Sequence, residues 1–310
     1  LLPQLCMRMV LTMFRTALIS MFLTSTALAD TWTVDDDGKA DFDNIQAAVD
    51  ASSDGDEIIV YSGTYTGTGD EVINMMGKAV WLHSNDVLLM PIIDGEGVRR
   101  SIVCNSGETD NTIIEGFTIT RGFTDGSYPE NCGGGMYCDI SSPTLENCTF
   151  ENNISGDFGG GMFNYNSSSP TLTNCTFTNN TADSRGGGMY NSSNSHPTLD
   201  NCTFTNNTGY FGGGMYNITL SNPTLTDTTV CGNTPNQIYG DWTDNGGNIV
   251  EDVCPIDCPD INGDGYVDVS DLLTIIDQWG LTDSPADIND DGIVNVSDLL
   301  IVVGNWGECE

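Results

Sequence analysis

Positive charge is what this sequence has least of: 8 Lys and Arg stand against 44 Asp and Glu in 310 residues, for a formal charge of −36. Attraction to nucleic acid or to an anionic membrane surface is thereby excluded. After residue 29 no apolar run reaches the ~20 residues that a membrane span needs. Histidine is scarce as well, at 2 residues, so imidazole chemistry has little to work with. In place of these the chain has 36 Gly, abundant Thr, Asn and Ser, and enough aromatics (11 Phe, 10 Tyr, 5 Trp) to build a core. With charged residues at 17%, it lacks the Glu/Lys-rich makeup of disordered tracts.

Residues 1–29 read as a signal peptide: Arg8 and Arg15, an apolar run from Thr16 to Leu28, then Ala27-Leu28-Ala29 before Asp30. The expectation is a secreted or cell-surface protein, with Met7, Met9 or Met13 as candidate starts. Export makes disulfides permissible. Cys132/Cys138 and Cys254/Cys258/Cys309 are the plausible bridging sets, with the connectivity open.

The middle of the chain repeats. Gly-Gly-Gly-Met-aromatic recurs at Gly133, Gly159, Gly186 and Gly212, Pro-Thr-Leu at Pro143, Pro170, Pro197 and Pro223, and Asn-Cys-Thr-Phe at Asn147, Asn174 and Asn201. Each unit holds short strand-forming stretches divided by Gly, Asn, Ser and Pro, with nothing periodic enough for a helix. A coil of roughly 26 residues cannot bury its own apolar side, whereas coils stacked at ~4.8 Å merge their interiors into one core. Equivalent residues then form columns: Met136/Met162/Met189/Met215, Leu145/Leu172/Leu199/Leu225 and Phe150/Phe177/Phe204/Val230. Asn153, Asn180, Asn207 and Asn233 form an amide ladder at a turn. Cys148, Cys175 and Cys202 fall on the Phe face, as buried small hydrophobes or as a disulfide or metal set. Phe42–Ala51 has the apolar spacing of a short amphipathic helix that plugs the open end of the stack.

On these residues the chain resembles known families. Thr31-Trp-Thr-Val-Asp-Asp-Asp-Gly, Asp41-Phe-Asp-Asn-Ile-Gln-Ala-Ala-Val-Asp and Gly55-Asp-Glu-Ile-Ile-Val-Tyr-Ser-Gly-Thr-Tyr are similar to the opening of pectin-lyase-like right-handed parallel β-helix proteins. The Gly-Gly-Gly-Met-Tyr and Phe-x-x-Asn repeats resemble those of polymorphic outer-membrane proteins, a group that includes adhesins. The resemblance implies an all-β, right-handed, single-stranded parallel β-helix domain over residues 30–253 and leaves activity open because the fold hosts lyases, hydrolases, esterases and adhesins; at ~25 residues per turn, about eight coils fill residues 55–250.

Residues 254–310 carry a different signal. Asp260, Asn262, Asp264, Asp268 and Asp271 stand at positions 1, 3, 5, 9 and 12 of a loop, with the Tyr266 carbonyl at 7 and Gly265 at the sharp turn. Asp287, Asn289, Asp291, Ile293, Asn295 and Asp298 repeat the set around Gly292. That spacing of oxygens suits a hard cation with 6–8 ligands, so two Ca²⁺ are expected. Asp in place of the usual EF-hand Glu at position 12, with a single apolar helix after each loop, resembles a type I dockerin. The resemblance implies a cohesin-like partner or cell-surface component selected at Val269/Ser270 and Val296/Ser297, although no Lys or Arg follows in either helix.

For catalysis, the motifs of polygalacturonase-like hydrolases and the basic cluster of lyases are missing. After residue 29 the bases are Lys39, Lys78, Arg99, Arg100, Arg121 and Arg185, besides His83 and His196. The turn before the glycine triplets gives the enzymatic candidates: Asp157, Asp183 and Arg185 on neighbouring coils, and Arg121 earlier. Tyr137, Phe163, Tyr190 and Tyr216 each follow an inward Met, so alternation turns them outward into an aromatic row, either stacked on one another or open to sugar rings. Two functions follow: a non-catalytic β-helix that binds carbohydrate or a surface and is attached through its calcium module, or a lyase or hydrolase acting on uronate-containing polysaccharide.

Overall fold

The computed structural model describes residues 29–308 apart from 87, 255–258, 283 and 290–291; the expected signal peptide up to residue 28, Cys258, Cys309 and the expected ligand Asp291 fall outside them. Contacts divide the chain into two units, up to Val250 and from Glu251.

The first unit is a stack of parallel coils. Among the described residues its strands form sheets of nine, eight and seven, with a short fourth sheet of three. The pairing is in register: Leu145 pairs Leu172, Phe150 pairs Phe177, and Met136 pairs Met162, and each pairing is repeated coil after coil. The three expected columns are therefore real, and all their residues are fully buried. Phe150, Phe177 and Phe204 stack face to face at 4.6 and 4.5 Å between centroids. The first rung is earlier than the repeats suggest, since Thr31–Val34 already pairs Glu57–Val60.

Corners are cut by residues in the left-handed region. Asn147, Asn174 and Asn201 (φ 53, 54 and 49°) turn the Leu sheet into the Phe sheet, and Asn152, Asn179 and Asn206 (φ 54–55°) end the Phe sheet. Asn tolerates this conformation better than other side chains do. Next to the second corner runs the expected ladder: Asn153 Nδ2 donates to Asn180 Oδ1, Asn180 to Asn207 and Asn207 to Asn233, each at 2.9 Å. Each amide also donates to a backbone carbonyl of the coil before it, as Asn180 does to Phe150 at 2.9 Å. The glycine triplets are required by space as well as by dihedral. Gly186 has φ +67°, a Cβ on Gly187 would meet the Thr208 carbonyl at 2.4 Å, and one on Gly188 the Gly214 carbonyl at 2.6 Å.

A seven-residue helix, α1 (Ile45–Ala51), follows the first rung, capped by Asn44, whose side chain accepts from Ala47 N. Its Ile45, Ala48 and Val49 join the core cluster. Phe42 lies before the helix and bridges Val34 instead.

The cysteine expectation needs correction. Cys132 and Cys138 are both free. They lie on opposite sides of one sheet, Cys138 in the main core and Cys132 in the aromatic cluster outside it. Cys148, Cys175 and Cys202 are free and buried as small apolar groups. Cys231 and Cys254 are disulfide-bonded; Cys231 was not among the expected bridging residues.

The second unit holds two nine-residue helices, α2 (Val269–Asp277) and α3 (Val296–Gly304). Tyr266–Val267 pairs antiparallel with Gly307–Glu308. Its core is small: Val267, Ile275, Ala286, Val294 and Val302, with Leu272 and Leu299 against them.

Candidate functional site

The outward aromatic row exists, but it is not an open shelf. Tyr137, Phe163, Tyr190 and Tyr216 are 1–6% exposed. Their rings stack on one another at 5.3–5.5 Å. Residues of the turns fold back over them: Phe158 stacks on Tyr190 at 4.7 Å, and Tyr128 meets Phe163 edge-on. Strand alternation says which side of the sheet a ring leaves, not whether a loop covers it. Of the two arrangements open to the row, the rings adopt the first, stacked on one another. Exposed rings occur further on, at Tyr210, Phe211 and Tyr239.

The enzymatic candidates are only partly brought together. Arg121 is held by Asp94, donating from Nε at 2.9 Å and again from its terminal nitrogen, one coil before Asp157 and two before Asp183 and Arg185. Asp157, Asp183 and Arg185 share a turn: Arg185 N donates to the Asp157 carbonyl at 3.2 Å and Asp183 N to that of Ser155. Burial holds the Asp157 carboxyl above the usual carboxylate range, against hydrogen bonds from Ser184 and Asn131 and the charge of Arg185. Phe158, Arg185 and Phe211 are bridge partners on three successive coils. The guanidinium of Arg185 lies over the rings of Phe158 and Tyr216, with the charge of Asp157 in range and, among the described residues, no carboxylate paired to it. His83 stacks on Trp81 at 4.0 Å with Nε2 3.1 Å from Glu57 Oε1, while His196 is exposed and distant.

One concave feature was not expected from the sequence. A cleft of about 220 Å³ is lined by Arg100, Asn105, Pro129, Glu130, Tyr137 and Asp139. It forms where residues 125–132 replace the three-residue turn (156–158, 183–185, 209–211) of the later coils. Arg100 pins this insertion by donating to the carbonyls of Glu130, Cys132 and Gly133 at 2.8–3.2 Å, with its guanidinium 4.8 Å over the Tyr137 ring. Burial lowers the Arg100 pKa. The longer spacing before the first glycine triplet was the available signal.

In the second unit the two loops correspond at positions described in both. Asp260 Oδ1 and Oδ2 accept from the amides of Gly263, Asp264 and Gly265 at 2.7–3.1 Å. Asp271, fully buried, accepts from Ile261 and Asn262 and, through its other oxygen, from Asp268 N. Asp298 repeats this with Ile288, Asn289 and Asn295, and Asp287 accepts from Gly292 N. Asp268 and Asn295 each cap the following helix in a capping box closed by Asp271 or Asp298. Gly265 and Gly292, at φ +88° and +91°, make the turn at position 6. Among the described residues no three His, Cys, Asp or Glu side chains converge as a metal cage. The donor set is nevertheless all oxygen, placed by closed loops, which is the chemistry a hard cation takes. Each helix also keeps an apolar face in solvent, Val269, Leu273 and Ile276 on α2 and Val296, Leu300 and Val303 on α3, each continued just past the helix end by a Trp (Trp279, Trp306), all 49–61% exposed. The two faces use the same spacing.

The family model described as "Right handed beta helix region" matches residues 98–253. The chain belongs to that family. Among solved structures, this right-handed β-helix protein is similar to the crystal structure of pectate lyase Pel9A, at 17% identity and a TM-score of 0.43 over 72% of this chain and 68% of that one. It is also similar to a rhamnogalacturonan lyase, at 12% identity and a TM-score of 0.37 over 72% of this chain and 60% of the other. No curated protein matches the chain. Among the described residues no helix is long and apolar enough to cross a membrane.

Proposed function

We propose that this is a secreted or cell-surface binding protein without catalytic activity. Its β-helix presents a long face to carbohydrate or another surface component, and its C-terminal module folds around two Ca²⁺ as a dockerin-like attachment unit. The observation that carries the non-catalytic reading is the state of the bases. Lys39 is paired with Asp37, Arg99 with Glu96 and Arg121 with Asp94, while Lys78 and Arg100 are spent on backbone carbonyls. Elimination from a uronide needs a free base beside carboxylates that hold calcium on the sugar acid. Arg185, the base left over, stands among rings instead. The calcium role is supported by two loops with matching hydrogen bonds, with Asp260, Asn262, Asp264, Asp268 and Asp271, then Asp287, Asn289, Asp291, Asn295 and Asp298, as side-chain ligands and the carbonyls of Tyr266 and Ile293 completing them. The attachment role is supported by the solvent-exposed apolar face on each helix, which suits a protein partner such as a cohesin-like domain. Incubating the full chain with calcium and a panel of uronate-containing polysaccharides, while following unsaturated chain ends by ultraviolet absorbance, tests the reading. No product is expected; accumulation of unsaturated ends would make the protein a lyase.

A further inference from the structure

In a chain so short of positive charge, a cation without a partner is conspicuous. Among the described residues, the Arg185 side chain is assigned no hydrogen bond and no ion pair, and its Nε is buried with no acceptor. Buried donors are normally paired. The guanidinium carbon lies 5.7 Å from the centroid of Phe158 and 5.4 Å from that of Tyr216. Rings thus cover the guanidinium and Nε is itself buried, so what remains for a ligand is the fork of the two terminal nitrogens, whose geometry matches a carboxylate or sulfate. Beside it the aromatic row emerges into solvent. Tyr239 continues the stack on Tyr216 at 4.6 Å and 2°, and is 44% exposed. Phe211 lies 5.9 Å from Tyr239 and 4.8 Å from Tyr210, with exposures of 41% and 71%.

We infer that Arg185 and the shelf of Phe211, Tyr239 and Tyr210 form a subsite for a sugar ring bearing an oxyanion: the ring lies on the exposed aromatic faces, and the oxyanion meets the Arg185 fork. The inference rests on the binding-face reading and deepens it by naming the place and the ligand chemistry. Asp157 and Asp183 on the same turn weaken the local positive field. Recognition therefore comes from the contact geometry of the fork, not from net charge. Salt, which screens the repulsion between a polyanion and this acidic chain, leaves binding intact or strengthens it.

The test is affinity electrophoresis of the full chain through gels holding dextran, polygalacturonate or dextran sulfate, at low and moderate salt, with Arg185→Gln and Arg185→Lys alongside. The expected result is retardation by an anionic polymer, weakened roughly ten- to a hundredfold in Arg185→Gln, as for loss of charged hydrogen bonds, and partly kept in Arg185→Lys. Retardation by polygalacturonate names a carboxylate and by dextran sulfate a sulfate. Thermal melts matching the parent show that the variants are folded. If Arg185→Gln is retarded as strongly as the parent, the subsite is wrong while the binding face stands. If no polymer retards the parent, both fall.

Discussion

The two units solve the same problem, holding polar backbone in place, by opposite means. In the β-helix each coil supplies what its neighbour lacks: columns of Leu, Phe and Met bury one another, and the Asn153–Asn233 ladder satisfies the turns without any charge. In the C-terminal unit the core is five fully buried residues and their fringe, and the order of each loop is imposed by carboxylates. Residues 254–310 contain no Lys or Arg to offset them. The comparison teaches that order in the first unit comes from repetition, and in the second from carboxylates that gather the loop amides.

Phe177→Ala should strike hardest. It opens a cavity between two stacked rings, costing about 3–5 kcal/mol, and the loss should appear in the β-helix transition of a calorimetric scan with the module's transition unmoved. Asn180→Ala should follow, at roughly 2–4 kcal/mol, because it strands the amide and side chain of Asn153 and the Phe150 carbonyl. Chemical denaturation followed by Tyr and Trp fluorescence measures it; a change below about 0.5 kcal/mol would mean that the ladder is ornamental.

The ladder and the three columns were legible because a fixed period fixes register, and register fixes which residues touch. The aromatic row shows where that logic stops. Alternation correctly sent Tyr137, Phe163, Tyr190 and Tyr216 out of the main core, but of the turn residues that cover them Tyr128 lies in an insertion and Phe158 holds a position whose residue type changes from coil to coil. A second ladder, Asn164 to Asn191 to Asn217 at 2.8–2.9 Å, escaped notice although each Asn follows its Met by two residues. An inward Asn contradicts the apolar expectation until its partner on the next coil is considered. The Arg100 cleft was hidden in an insertion, whose conformation repetition cannot supply. In the module the loop spacing placed the helices; their caps, Asp268 and Asn295, were not anticipated, although both stand at positions expected to hold the ion.

Asp298→Ala sharpens the comparison from the other side. It leaves the amides of Ile288, Asn289 and Asn295 without their acceptor, a loss of about 1–3 kcal/mol. That is large for so small a core, so helical circular dichroism should fall while the β-helix transition stays. The smallest effect is expected at Asp56 in the β-helix. Burial alone would raise its pKa, but the amides of Ser53 and Asp30, the Trp32 indole and the charge of Lys78 outweigh burial and hold it below the usual carboxylate range. A depressed carboxylate contributes stability above the unfolded pKa of about 3.9, and that stability is lost as pH falls through the folded value. Asp56→Asn should cost about 1 kcal/mol at neutral pH and progressively less below pH ~4, read from denaturant midpoints across that range.

The central claim is that one unit carries its own order and the other depends on metal. Under the proposed calcium role, the oxygens that would hold the ion have no preformed arrangement in the unfolded chain, so binding free energy becomes folding free energy. Differential scanning calorimetry of the full chain, with calcium and with chelator, and of the Asp260→Ala/Asp287→Ala double variant, addresses it directly. The account predicts two transitions, of which only the smaller shifts down or vanishes on chelation, and the same loss in the double variant with calcium present. A trace unchanged by chelator, or one in which the whole chain melts together in a calcium-dependent way, would contradict it.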